Sequence, residues 1–180
     1  MDENDKWPLG VTFYALACTI SAFVGWPIVA ALAGYFAYAR PDLIDRMSKV
    51  SPFPLPVLIL GLLLLWALSG IAGVGLMRRK EWGWWTAGFM QVYGVFRNVS
   101  AILLPTLMGV AAPPGHSTKY RIRITVNLVL LGYFFSPKVF RFFGLENSSR
   151  LRALLEMVAA GFAISAIFEA LMWFLDWKNR

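Results

Sequence analysis

Cysteine and histidine are almost absent from this chain, with one of each in 180 residues. The lone Cys18 sits in an apolar run, so it makes no internal disulfide and by itself holds no metal. The lone histidine, His116, lies in a Pro-Gly loop. It excludes a bis-histidine haem site and a His-Glu-x-x-His zinc helix. The expected reading is a solvated turn residue not essential to function, and one axial ligand to a pigment or haem is the alternative. No Ser/His/Asp set is present, and Gly70-Ile71-Ala72-Gly73-Val74-Gly75 lacks the lysine and helix start of a phosphate loop. These are packing glycines. The sequence therefore predicts no enzyme, no cofactor and no metal site. Charge is scarce too, at 15% against roughly 25% in a soluble domain. Acidic residues number 10 against 17 basic ones, a net charge of +7. The basic residues cluster in short segments between apolar runs, a pattern of headgroup contact rather than of nucleic-acid binding.

What fills the chain is apolar. Hydrophobic residues make up 58% of it, about 104 positions, and one membrane-crossing helix needs about 20. That excludes a soluble globule, a disordered chain and a nucleic-acid module. The expected fold is all-α: one polytopic transmembrane bundle over residues 1–180 with five spans, or four if the short run 122–136 does not cross. The spans are 9–39, 57–77, 86–112, 122–136 and 154–174. The first run follows an acidic N-terminus and is too long for a signal core, so it is expected to remain as an anchor. It contains Pro27, which neighbouring helices or waters compensate in a membrane. Between the first two spans, Pro41 to Val50 is expected to form interfacial turns. Pro113-Pro114-Gly115 is expected to stop the third span. The fourth crosses only if Arg121 and Arg123 snorkel at one end and Lys138 and Arg141 at the other.

Three groups of residues stand out. Ala17, Ser21 and Gly25 recur every fourth position, a spacing that lets helices approach closely, and the second span ends in small residues around Gly70 and Gly73, where tight packing against another helix is expected. Arg78-Arg79-Lys80 precedes Trp82, Trp84 and Trp85, the pattern of anchors at a membrane–water interface. Arg97 and Glu169 fall at membrane depth, where an ionisable residue is costly and functional by default; they are expected to pair as counter-ions. Glu156, four residues after Arg152, reads as a helix-surface pair. Basic residues divide evenly between the two sides, and the Arg78-Arg79-Lys80 turn favours a cytoplasmic N-terminus.

Three stretches resemble a widespread type of small bacterial integral membrane protein of uncharacterised function. They are Trp7-Pro8-Leu9-Gly10-Val11-Thr12, then Gly75-Leu76-Met77-Arg78-Arg79-Lys80-Glu81-Trp82-Gly83-Trp84-Trp85, and Asn127 through Tyr133-Phe134-Phe135-Ser136-Pro137-Lys138-Val139. The resemblance covers about residues 7–143. It implies four helices, with the basic-tryptophan turn and the Ser-Pro-Lys-Val segment on one side of the membrane and Arg78 in the cytoplasm, and it assigns neither an activity nor functional residues. This chain departs from the type by a fifth helix and by charges within two spans.

The absent chemistry, the aromatics and the small-residue faces point first to a non-catalytic accessory or scaffold subunit. Its partners would be membrane lipids and other membrane protein subunits, with an energy-converting complex, respiratory or photosynthetic, as one host. A small transporter or channel component using Arg97 and Glu169 is the alternative. A lipid-modifying enzyme is the third class.

Overall fold

The computed structural model describes residues 7–39, 55–107, 109, 115–146 and 148–178. Among them every regular element is a helix: α1 Leu9–Ala39, α2 Leu55–Met77, α3 Glu81–Leu107, α4 His116–Phe134, the short α5 Pro137–Phe142, and α6 Arg150–Lys178. Pro27 lies inside α1. The third helix begins five residues earlier than the apolar run suggests, because Glu81 and the tryptophans join its first turn. The turns expected for 41–50 and the Pro113-Pro114 stop lie outside the described residues.

Consecutive long helices run antiparallel. Along the α1–α2 seam, Gly73 faces Ala15 and Thr19, Gly70 faces Ala22, and Gly25 faces the ring of Trp66. The Ser69 hydroxyl donates to the Cys18 carbonyl across it, at 3.3 Å. The expected stripe is thus rotated: Gly25 belongs to the seam, but Ala17 and Ser21 are exposed within the chain. Steps of four advance 400° on a 3.6-residue helix, so an every-fourth stripe drifts off a face that Ala15, Thr19 and Ala22 occupy.

The α2–α3 connection is a Schellman turn. Lys80 N–H donates to Gly75 O at 2.9 Å and Arg79 N–H to Leu76 O at 3.0 Å, and Arg79 takes the left-handed position at φ 53°, where glycine is usual. So tight a reversal presses Gly83 against the backbone of Gly75 and Leu76. Helix α3 is the hub, touching α2, α4 and α6. It runs antiparallel to α4, with Ala101 near His116, Gly94 near Asn127 and Trp84 near Phe134. It runs parallel to α6, with Gly88 on Met157 and Val92 on Gly161.

The core sits at the Trp84 end. The Trp84 side chain is 0% exposed; its indole N–H donates to the Phe134 carbonyl at 2.9 Å, and its ring meets Phe135 and Phe140. Trp84 is therefore not an interfacial anchor. It caps the C-terminus of α4, whose last carbonyls have no partner within the helix. Trp82, by contrast, is 44% exposed, and Trp85 donates from its indole N–H to Glu81. Arg79 lies over the rings of Trp7 and Phe142, while Arg78 and Lys80 are exposed.

Among the described residues, two helical segments are long and apolar enough to cross a membrane: Leu9–Leu32 and Ile59–Met77, with mean hydropathy 1.9 and 2.2. In the most apolar 18 residues of each, 28% are buried within the chain, whereas the core helix of a globule is mostly buried. Phe13, Phe23 and Leu64 point outward. Helices α3 and α4 fall short of that mark because polar residues interrupt them: Gln91, Arg97 and Asn98 in one, Lys119, Arg121 and Arg123 in the other.

Candidate functional site

Among the described residues, helices α1 and α4 meet near one end, where Gly10 faces the Tyr133 ring and Tyr14 packs edge-on against Phe134 at 5.0 Å. Gln91 donates from Nε2 to the Tyr14 hydroxyl at the same level. Beyond this point α1 and α2 part from α4, and a cleft of about 750 Å³ opens between them over α3.

Two polar stripes face it. On α3, Tyr93, Arg97 and Ala101 recur at i, i+4, i+8, flanked by Gly94 and Asn98. On α4, Tyr120, Arg123 and Asn127 recur at i, i+3, i+7. These spacings put each set on one helix face. Ser21 and Ser69 add hydroxyls from α1 and α2, and Leu65, Trp66 and Met90 form apolar wall. Gly94 permits the approach of α3 and α4, since a methyl there would lie 2.6 Å from the Asn127 amide nitrogen. Asn98 donates to the Gly94 carbonyl within α3.

The electrostatics of the cleft are one-sided. Arg97 and Arg123 both line it, and no aspartate or glutamate does so among the described residues. The Arg123 guanidinium lies over the Tyr120 ring, 5.7 Å from its centre. Tyr120 is in turn met edge-on by His116 at 4.7 Å, whose Nε2 is 3.1 Å from the Ala101 carbonyl. His116 thus ties the start of α4 to α3 rather than standing free in a loop. Two forked cations with nearby hydroxyl and amide groups suit an anion with several oxygens.

The side chain of Glu169 lies outside the described residues, and the expected Arg97–Glu169 pair with it. Arg152 and Glu156 do pair, at 2.8 Å on the exposed side of α6. No group of three or more metal-ligating side chains occurs among the described residues. Tyr93, Tyr120 and Asn127 carry no role in the sequence reading, in which Arg121 and Arg123 act together at a helix end. Only Arg123 reaches the cleft, because two residues along a helix is a turn of about 200°. Comparison of the chain with protein-family models, with curated proteins and with solved structures finds no match.

Proposed function

We propose that the chain is a non-catalytic, five-span integral membrane protein that holds an anion in this cleft, as an accessory subunit of a larger membrane assembly. The observation that carries the reading is the pairing of Arg97 and Arg123 in one concavity with no carboxylate among its described lining. An arginine at membrane depth with no counter-charge among the described residues costs at least about 2.5–3.5 kcal/mol on insertion scales, and two in one cleft repel. A bound anion removes both penalties. The outward apolar faces of α1 and α2 support membrane embedding, and the alternating directions of the long helices support five crossings. The basic Arg78-Arg79-Lys80 turn favours the cytoplasmic side of a bacterial inner membrane for the N-terminus.

The transporter reading needs a continuous path. Trp84, Phe134 and Phe140 fill the bundle end beyond the cleft and are buried, which favours a holding site over a conduit. Thermal unfolding of the purified chain in neutral detergent tests the proposal. Sulfate at constant ionic strength is expected to raise Tm more than chloride does, and the increment is expected to vanish in the Arg97→Gln/Arg123→Gln double variant. Equal increments in both proteins would remove the cleft as an anion site.

A further inference from the structure

We infer that the anion is the phosphodiester head of an acidic phospholipid, drawn in from the leaflet opposite the Arg78–Lys80 turn; this rests on the anion-binding reading above. Arg97 lies thirteen residues beyond Trp84 and Arg123 eleven before Phe134, or about 20 and 17 Å along their helices at ~1.5 Å per residue. Trp84 and Phe134 are joined by a hydrogen bond at one end of the bundle, so the two guanidinium groups sit at similar levels. In a hydrocarbon core of about 30 Å these levels lie past the midplane, within snorkelling reach of the far headgroups.

A site for a free inorganic anion needs only polar groups. This one sets Arg97 and Arg123 beside Leu65, Trp66, Ile122 and Val126, so polar and apolar surface lie side by side. Ile122 and Val126 are exposed, as is Leu64 next to the wall residue Leu65, which extends the apolar surface outwards to where acyl chains would lie. The volume of about 750 Å³ admits a headgroup and the first part of its chains, and falls within the range of small-molecule sites. The positive charge selects an acidic head over a zwitterionic one. The phosphate itself could come from a lipid or from solution, and the test separates the two.

Native mass spectrometry of the full chain in neutral detergent, titrated with phosphatidylglycerol or phosphatidylcholine, reads the bound lipid directly. Phosphatidylglycerol is expected to bind at least about tenfold more tightly, the worth of one charge-assisted contact of about 1.4 kcal/mol. Arg97→Gln and Arg123→Gln are each expected to weaken it about tenfold. Arg121→Gln removes the same charge from the same helix but from outside the cleft, and is expected to change binding less than about twofold. Arg97 and Arg123 are both exposed within the chain, so both variants are expected to fold, and the thermal transition of each checks it. Equal weakening by Arg121→Gln and Arg123→Gln would mean general surface charge and overturn the lipid site. Displacement of phosphatidylglycerol by millimolar inorganic phosphate would assign the cleft to a soluble anion, overturning the lipid inference but not the anion-binding reading. Binding of neither lipid nor phosphate would overturn both.

Discussion

Trp82 and Trp84 stand two residues apart in one basic, tryptophan-rich stretch, yet one faces outward and the other is wholly enclosed. The difference is one of helical phase. Trp84 turns toward α4 and donates its indole N–H to the Phe134 carbonyl, a group that the end of α4 leaves without an intrahelical donor. Trp84→Phe keeps most of the ring but removes the donor, and is expected to destabilise by about 1–3 kcal/mol, the cost of a buried carbonyl left unsatisfied. Trp82→Phe is expected to stay within about 0.5 kcal/mol. Thermal unfolding in one detergent ranks the two, and equal losses would mean that the Phe134 bond contributes nothing. Gly83 answers to a different constraint, since its α-carbon side lies against the Gly75 backbone, which cannot yield as a side chain can. Gly83→Ala is therefore expected to cost about 1–3 kcal/mol through overpacking, with the Schellman turn at Arg79 displaced. An unaltered melting profile would show that α2 and α3 separate at no cost.

Helices were easier to foresee than the faces they present. The bounds of α1 follow from an apolar run free of charged residues, and those of α2 nearly so, because a segment in hydrocarbon must satisfy its backbone groups within itself. Which small residues form the α1–α2 seam depends on rotation about the helix axis, and apolar residues on every side of α1 erase the amphipathic signal that would fix it. The cleft carried a signal that went unread: Tyr93-x-x-x-Arg97 and Tyr120-x-x-Arg123-x-x-x-Asn127 are each one-sided on their helices. Seeing that the two stripes face one another required the α3–α4 register. The seam itself is testable. Gly73→Leu would drive a side chain into Ala15 and Thr19 and is expected to cost at least about 1–3 kcal/mol. Ser21→Leu, at an exposed position bordering the cleft, is expected to stay within about 0.5 kcal/mol. A larger loss for Ser21→Leu than for Gly73→Leu would return the seam to the Ala17-Ser21-Gly25 face.

The path of the chain through the membrane decides whether the cleft has the depth argued for it. Helix α4 is the critical pass, being short and carrying Lys119, Arg121 and Arg123 near its start. Its 19 residues cover about 28 Å at ~1.5 Å per residue, close to a hydrocarbon core of about 30 Å. It runs antiparallel to α3 from His116 beside Ala101 to Phe134 beside Trp84. Helix α6 then starts at the Trp84 end, parallel to α3, with Met157 on Gly88. If α3 and α4 both cross, Lys80 and Ser148 share one side of the membrane and Lys119 lies on the other. All three are exposed, and Cys18 is the only native cysteine. Single cysteines in a Cys18→Ala background (Lys80→Cys, Lys119→Cys and Ser148→Cys) can be probed with an impermeant maleimide on sealed vesicles of known orientation. Labelling of Lys119→Cys is expected from the face opposite to that which labels the other two. If Ser148→Cys instead labelled with Lys119→Cys, α4 would not cross, and the cleft would lie at an interface rather than at depth. If Lys80→Cys and Lys119→Cys labelled together, α3 would not cross, and Arg97 would have no membrane penalty for an anion to offset.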